Sequence, residues 1–134
     1  MNKLVASSTA IALFLLAGCA ASGPKLASSA EDIVGTWQST VTSLEIQFSA
    51  DGTLRAQTAQ GTDVTFEFRF EGMRIFFKDI PNGGCTQIGA ETGIYEVELL
   101  ENGNLKFIVI EDECLVRVNY QAGRLVEVEW EPVP

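Results

Sequence analysis

The 134-residue chain has no histidine, only nine lysines and arginines, and only three cysteines. The absence of histidine excludes Ser-His-Asp and Cys-His catalysis and removes the commonest metal ligand. The chain has 18 aspartates and glutamates and a formal net charge of −9, whereas a nucleic-acid surface needs a basic patch. We therefore expect no nucleic-acid partner, no metal or other cofactor and, because no nucleophile–base pair can be assembled, no enzymatic activity.

Long apolar runs are also missing, except near the N-terminus. Residues 4–16 are mostly apolar and uncharged, and Lys3 precedes them. This run is shorter than the 20 or so residues that span a bilayer, but its length is typical of a signal peptide. It ends in Leu16-Ala17-Gly18-Cys19, which resembles the lipobox of bacterial lipoproteins. An ordinary secretory signal with an incidental cysteine is the alternative interpretation.

In lipoproteins the cysteine that corresponds to Cys19 carries diacylglycerol, the chain is cleaved before it, and its new amino group is acylated. The resemblance thus implies a signal peptide over residues 1–18 and a mature chain of 134 − 18 = 116 residues. Two or three acyl chains anchor a protein stably in a membrane. The next residue is Ala20 rather than aspartate, which by the same resemblance implies the outer membrane of the cell envelope, facing the periplasm.

Small residues dominate the segment after Cys19. We expect residues 19–30 to be the lipidated N-terminus and a flexible tether, and residues 31–134 to be one domain. Cys85 and Cys114 remain, and export to an oxidising compartment predicts a disulfide between them. No C-x-x-C motif is present, which argues against a metal site or a redox pair.

From residue 34 onward, apolar and polar residues alternate with a period of two, which predicts β-strands. Phe66, Phe68 and Phe70, for example, alternate with charged residues, and Asn102-Gly103 marks a hairpin turn. Short connections require antiparallel neighbours. We predict an all-β fold: an antiparallel up-and-down meander of eight or nine strands closed as a small barrel, including strands over residues 114–120 and 125–131. Ser28 and Glu31 form a capping-box pattern that predicts one helical turn.

Gly35-Thr36-Trp37 on the first of these strands resembles the G-x-W motif of lipocalins and related calycins. In those proteins the tryptophan plugs one end of the barrel, and an arginine from a late strand packs across it. The resemblance implies that Trp37 is such a plug, with either Arg117 or Arg124 across it. Further motifs resemble small secreted lipocalin-like domains: residues 48–52 (F-x-x-D-G), Cys85, residues 93–95 (G-x-Y) and residues 112–117 (D-x-C-x-x-R).

A lipocalin-like barrel implies a ligand pocket lined by inward-facing aromatic side chains. The candidate ligand-binding residues are Phe66, Phe68, Phe70, Phe77, Tyr95 and Phe107. The alternative is a filled core, because an eight-stranded barrel has an interior just wide enough for its own side chains or one small ligand. Phe48 and Trp130 are predicted to face inward with them.

The carboxylate side chains are explained by solvent exposure or turn capping rather than by a catalytic or calcium site. Glu96 and Glu98, and the row at residues 127, 129 and 131, alternate with apolar residues and are predicted to face water. Residues 111–113 are the densest acidic stretch, but adjacent carboxylates rarely converge on calcium. We expect Asp112 to cap the turn beside the disulfide.

Two functional hypotheses follow. The first is a membrane-anchored barrel that binds a small apolar ligand in a pocket of a few hundred Å³. The second is a protein-interaction module, such as an inhibitor or assembly factor of an envelope protein, that uses the acidic surface and an outer apolar patch. Four residues break the alternation and are candidates for that patch: Phe76, Leu100, Ile108 and Ile110.

Overall fold

The computed structural model describes residues 23–57, 61, 63–79, 84–114, 117 and 125–134. The described part contains nine strands, a 3-10 turn at Ala30–Asp32 and a short α-helix, α1, at Gly84–Gln87, and Arg117 is also helical. The strands are β1 (Lys25–Leu26), β2 (Gly35–Ser39), β3 (Glu45–Phe48), β4 (Thr53–Gln57), β5 (Asp63–Glu71), β6 (Arg74–Asp79), β7 (Thr92–Leu99), β8 (Leu105–Glu111) and β9 (Glu129–Pro132).

Strands β2 to β9 form a closed antiparallel barrel. Each strand from β2 to β8 pairs with the next strand along the chain. The last strand, β9, also pairs with β2, and this pairing closes the ring. The short β1 pairs with β7 at Leu99 and Glu98, on the stretch of β7 that β6 does not reach. The predicted all-β fold and the antiparallel up-and-down barrel are therefore confirmed.

Turn chemistry explains why neighbouring strands reverse so tightly. In the β3–β4 turn the Asp51 Oδ1 accepts a hydrogen bond from the Thr53 backbone N–H at 3.0 Å. Gly52 has a positive φ of 86°, and a Cβ there would lie 2.9 Å from the Phe68 carbonyl oxygen. Both the left-handed backbone and the close approach of β5 require glycine at this position.

The N-terminal part of the fold differs from the prediction in two details. The 3-10 turn is capped by Ser29 rather than Ser28, and the Asp32 carboxylate accepts the backbone N–H groups of both serines, at 2.8 and 3.2 Å. Residues 25–30, which we assigned to the tether, join the barrel instead: Ala27 is fully buried and its N–H donates to the Val97 carbonyl at 2.9 Å. This segment pairs with the sheet because the backbone groups of β7 beyond the end of β6 are otherwise unpaired there among the described residues.

The C-terminal strands are shorter than predicted. The strand expected over residues 114–120 is wrong at Arg117, which is helical and whose N–H donates to the Cys114 carbonyl at 3.0 Å. Its other residues, and the predicted turn at residues 121–123, lie outside the described part of the chain. The strand expected over residues 125–131 begins only at Glu129, since Glu127 has a left-handed φ of 66° that breaks extended backbone.

Within the described residues, no helix is long and apolar enough to cross a membrane. The lipobox and Cys19 fall in residues 1–22, outside the described part. The disulfide between Cys85 and Cys114 is present, with Cα atoms 5.5 Å apart.

Candidate functional site

The barrel interior is an aromatic core centred on Phe48. Its ring lies 5.2 Å from that of Phe68, 6.2 Å from that of Phe77 and 6.0 Å from that of Phe107. Phe77 in turn lies 5.1 Å from the ring of Tyr95. These centroid distances are those of direct aromatic contact, so the rings interdigitate and contact one another.

The structure places the six predicted ligand-binding residues in or beside this core. Five of them are buried: Phe66, Phe68, Phe77, Tyr95 and Phe107. Phe70 is only half-buried and packs against the edge of the core, 6.5 Å from the Phe68 ring. Phe48 and Trp130 also point inward, as predicted, and both are buried.

Little space remains between these side chains. Among the described residues, one apolar cavity of about 20 Å³ lies between Leu54, Phe66, Phe77 and Arg117. That volume holds roughly one water molecule, whereas small-molecule pockets occupy about 300–1,000 Å³. The aromatic side chains around this cavity pack against one another, as the filled-core alternative expects.

A polar network is buried near the disulfide. The Arg117 guanidinium forms a two-pronged ion pair with Asp112, with Nε to Oδ2 at 2.6 Å and Nη2 to Oδ1 at 2.7 Å. The two side chains are 2% and 0% exposed. The Tyr95 hydroxyl also donates to Asp112, and Arg117 donates to the backbone carbonyl oxygen of Ala90 at 3.0 Å. The pair is therefore desolvated but fully hydrogen-bonded, which is the condition under which a buried ion pair is tolerated.

Burial and the Asp112 carboxylate both affect the neighbouring groups. Desolvation raises the pKa of the Tyr95 hydroxyl far above its ordinary value, and its hydrogen bond to Asp112 raises it further. Burial would lower the pKa of Arg117, but the hydrogen bond and charge of Asp112 outweigh it, so the pKa of Arg117 is raised. Tyr95 stays neutral and Arg117 stays charged at any physiological pH, so this network is a structural clamp rather than an acid–base site.

Two neighbouring features fix the position of this clamp. A Cβ on Gly93 would lie 2.1 Å from Asp112 Oδ2 and 2.9 Å from Arg117 Nε, so the carboxylate occupies the space that any other residue would fill. The Cys114 N–H donates to Asp112 Oδ1 at 2.8 Å, which confirms that Asp112 caps the turn beside the disulfide. The G-x-Y and D-x-C-x-x-R motifs therefore meet in one buried cluster.

Asp79 connects helix α1 to the same region. Its Oδ2 accepts the backbone N–H groups of Cys85 at 2.9 Å and Thr86 at 3.2 Å, and the residue is 7% exposed. Cys85 is thereby held where Cys114 can reach it. These contacts stabilise the connection over residues 84–91.

The residues predicted to plug one end of the barrel do not lie together in the structure. Trp37 is buried, and its Nε1–H donates to the Ile33 carbonyl at 2.8 Å. Arg117 lies with Asp112 instead, and among the described residues the cation–π contact is that of Arg69 over Phe76, at 4.4 Å, and not one with Trp37. The buried carboxylate is a stronger partner for a guanidinium than an aromatic face. Arg124 lies outside the described residues.

A groove opens where β8 and β9 separate. These strands share only two register pairs, Leu105 with Trp130 and Lys106 with Glu129, the fewest of any neighbouring pair in the ring. Beyond them, Phe107 meets Val126 in a single parallel bridge. The resulting groove has a volume of about 470 Å³ and is lined by Lys106, Phe107, Ile108, Val109, Val126 and Glu127.

The groove contains part of the outer apolar patch that the sequence predicts. Ile108 lines it, and Val109 and Ile110 are exposed by 40% and 42%. Phe76 lies two strands away and is covered by Arg69. Leu100 lies in the β7–β8 turn, where its N–H donates to the Asn104 carbonyl at 2.9 Å. The four predicted residues thus do not form one surface.

The acidic residues behave mostly as expected. Residues 127 and 131 are exposed and Glu96, Glu98 and Glu129 are half-buried, and Glu129 accepts hydrogen bonds from Asn104 at 2.8 Å and Asn102 at 3.2 Å. These hydrogen bonds lower the pKa of Glu129. Across the described ranges, no group of three or more histidine, cysteine, aspartate or glutamate side chains is placed to hold a metal ion.

Comparison with known proteins found no matching family model, no matching curated protein and no matching solved structure. The resemblances to lipoproteins and to lipocalin-like domains therefore stay predictions, while the barrel and the disulfide rest on the structure itself.

Proposed function

We propose that this chain is a lipoprotein of the bacterial cell envelope, anchored through Cys19, whose rigid barrel presents the groove between β8 and β9 to a protein partner. The outer membrane, facing the periplasm, is the proposed location. Of the two functional hypotheses, this proposal develops the protein-interaction module.

One observation carries the choice: among the described residues, the cavity within the aromatic core measures about 20 Å³, while the groove between β8 and β9 measures about 470 Å³. Binding energy requires apolar area that is open to the partner. Val109 and Ile110 provide such area beside the groove, and the aromatic core does not.

The rigidity of the surrounding structure supports the same proposal. The disulfide and the Asp112–Arg117 pair fix the segment that follows β8, and the Glu129 hydrogen bond to Asn104 fixes β9 against the β7–β8 turn. A preorganised surface loses little entropy on binding, which favours a stable complex with a partner of modest size.

Site-specific photo-crosslinking tests this proposal in the intact envelope of the host. A photoreactive phenylalanine analogue replaces Val109 in the full chain, and the matched control replaces Met73, which is 56% exposed in the β5–β6 turn. We expect a discrete protein adduct from position 109 and none from position 73. Failure of position 109 to form an adduct, or equal adducts from both positions, would contradict the proposal.

The small apolar ligand remains a second candidate because the groove volume lies within the range of ligand pockets, about 300–1,000 Å³. Its floor includes Phe107, Ile108 and Val126. Native mass spectrometry of the protein purified from its host distinguishes the two. A stoichiometric small molecule beyond the covalent lipid would favour this candidate, and its absence together with a position-109 adduct would favour the protein partner.

The anchor is tested separately. Cys19→Ala removes the only thiol in the lipobox. We expect it to abolish incorporation of labelled fatty acid and to release the protein from the membrane fraction, and continued labelling would contradict the proposed anchor.

A further inference from the structure

The upper part of β8 is a strand edge without a described partner. On the β7 side every position from Leu105 to Val109 is paired. On the opposite side, Leu105 meets Trp130 and Phe107 meets Val126, whereas residues 108–111 meet no other strand among the described residues. In an antiparallel ladder, backbone groups of alternate residues point to the same side. The N–H and C=O of Val109 therefore point into the open side, as those of Leu105 and Phe107 do.

The edge has a local irregularity that keeps it accessible. Val109 pairs with Tyr95 and Glu111 pairs with Ile94, so Ile110 is an extra residue in β8, a β-bulge. The bulge leaves both Val109 and Ile110 substantially exposed, at 40% and 42%. An incoming strand would find backbone hydrogen-bonding groups and apolar side chains at the same place.

Charge determines which kind of strand fits. Lys106 lies between Glu98 on β7 and Glu129 on β9, Glu127 lines the groove, and Glu111 ends the open edge. Among the described residues of β8 and its two neighbours, Lys106 thus lies beside Glu98 and Glu129, and Glu111 adds a third carboxylate at the end of the edge. Such a surface attracts a basic partner and repels an acidic one.

We propose, on the basis of the proposed function, that the open edge of β8 binds an extended basic segment of its protein partner by strand addition. The partner strand pairs with Val109 through main-chain hydrogen bonds, its apolar side chains cover Val109 and Ile110, and its lysines or arginines face the surrounding glutamates. A second copy of this chain is disfavoured as the occupant, because the whole chain carries a net charge of −9 and two such edges would oppose their carboxylates.

The probe is a synthetic eight-residue peptide that alternates lysine and valine, and the matched probe alternates glutamate and valine. We expect only the lysine peptide to bind, with an affinity that weakens as salt rises. Hydrogen exchange followed by NMR should show slower exchange of the Val109 amide on binding. Slower exchange of this amide distinguishes strand addition from a diffuse electrostatic contact, which would leave its exchange rate unchanged.

Variants test the same site from the protein side. Val109→Lys puts a charge that repels the basic peptide on the edge, and Met73→Lys adds the same charge at the remote β5–β6 turn. We expect Val109→Lys to weaken peptide binding by about tenfold or more, because edge lysines block strand pairing, and Met73→Lys to leave it within about twofold. Should Val109→Lys not fold, the Val109 amide of the unmodified protein decides the question.

Three outcomes would overturn the inference: equal binding of both peptides, binding of the lysine peptide without slower exchange at Val109, or concentration-dependent dimerisation that protects Val109 in the absence of peptide. The last would assign the edge to a second copy. If the lysine peptide fails while the position-109 crosslink forms, the basic strand is wrong and the interaction groove stands. If that crosslink is also missing, the proposed function fails as well.

Discussion

Replacing Gly93 by alanine tests the buried clamp directly. The added Cβ would lie 2.1 Å from Asp112 Oδ2, 2.7 Å from Asp112 Cγ and 2.9 Å from Arg117 Nε. These distances are far inside van der Waals contact, so the carboxylate must move away from the guanidinium. Breaking a buried ion pair costs about 3–5 kcal/mol. At roughly 4 °C per kcal/mol for a domain of this size, we expect the melting temperature to fall by about 12–20 °C.

Gly84→Ala is the matched control for this substitution. Nothing lies within 4 Å of the Cβ that it would add, and Gly84 does not have a left-handed φ. We expect its free energy of unfolding to change by less than about 1 kcal/mol, in the stabilising direction if helix propensity dominates at α1. Both variants are measured by thermal and urea unfolding followed by circular dichroism.

A double-mutant cycle identifies the cause of the Gly93→Ala effect. Asp112→Ala is itself destabilising because it leaves Arg117 unpaired, but it also removes the atoms that the new Cβ meets. We expect Gly93→Ala to cost little more in the Asp112→Ala background, since residues in direct contact are not additive. A full, additive cost in that background, or a cost below about 1 kcal/mol in the unmodified protein, would refute the reasoning.

Three further predictions concern the core, the disulfide and pH. Phe48→Ala should cost about 3–5 kcal/mol in urea unfolding because Phe48 is at the centre of the aromatic core; a cost below about 1 kcal/mol would show loose packing. Replacing Cys85 and Cys114 together by serine should cost about 3.5 kcal/mol, and unchanged stability would contradict a structural disulfide. Glu129 should titrate below its ordinary pKa of 4.5. The stability that its ionised carboxylate contributes is therefore present above pH 4.5 and is lost as the pH falls through the lowered pKa. Asn104→Ala should raise the pKa of Glu129 measured by NMR, and an unchanged pKa would contradict the assigned cause.

The barrel was predictable from sequence because its strands are two-sided. Phe66 and Phe68 alternate with charged residues, and a register slip by one position would expose the whole apolar set. The Asn102-Gly103 turn likewise follows from local chemistry. Each of these signals is contained in a few consecutive residues, so no knowledge of the tertiary structure is needed to interpret it.

The C-terminal part was less predictable because its signals are ambiguous. Val126, Val128 and Trp130 are all buried, as their alternation indicates, but the left-handed Glu127 interrupts the strand that the same alternation predicts. Alternation reports which side chains are buried and not whether the backbone is paired.

The buried clamp and the groove could not be predicted from the sequence, for a different reason. The ion pair joins Asp112 to Arg117 across Gly93, and only the folded register brings β7 against this turn. The motifs contained the residues of the clamp, but the lipocalin resemblance placed either Arg117 or Arg124 across Trp37. Similarly, the groove lies where β8 and β9 stop pairing, next to the left-handed Glu127, and neither feature can be read from the alternation of residues.

Xenon binding followed by NMR tests most directly the central claim that the aromatic core is too tightly packed to hold a ligand, which leaves the groove between β8 and β9 as the proposed binding surface. Apolar cavities of about 150 Å³ stay dry and bind xenon, whereas the space beside Leu54 and Phe77 is about 20 Å³. We predict no saturable shift of the Leu54 methyl or Phe77 ring resonances under xenon pressure. A saturable shift at those resonances would reveal an internal pocket and contradict the account.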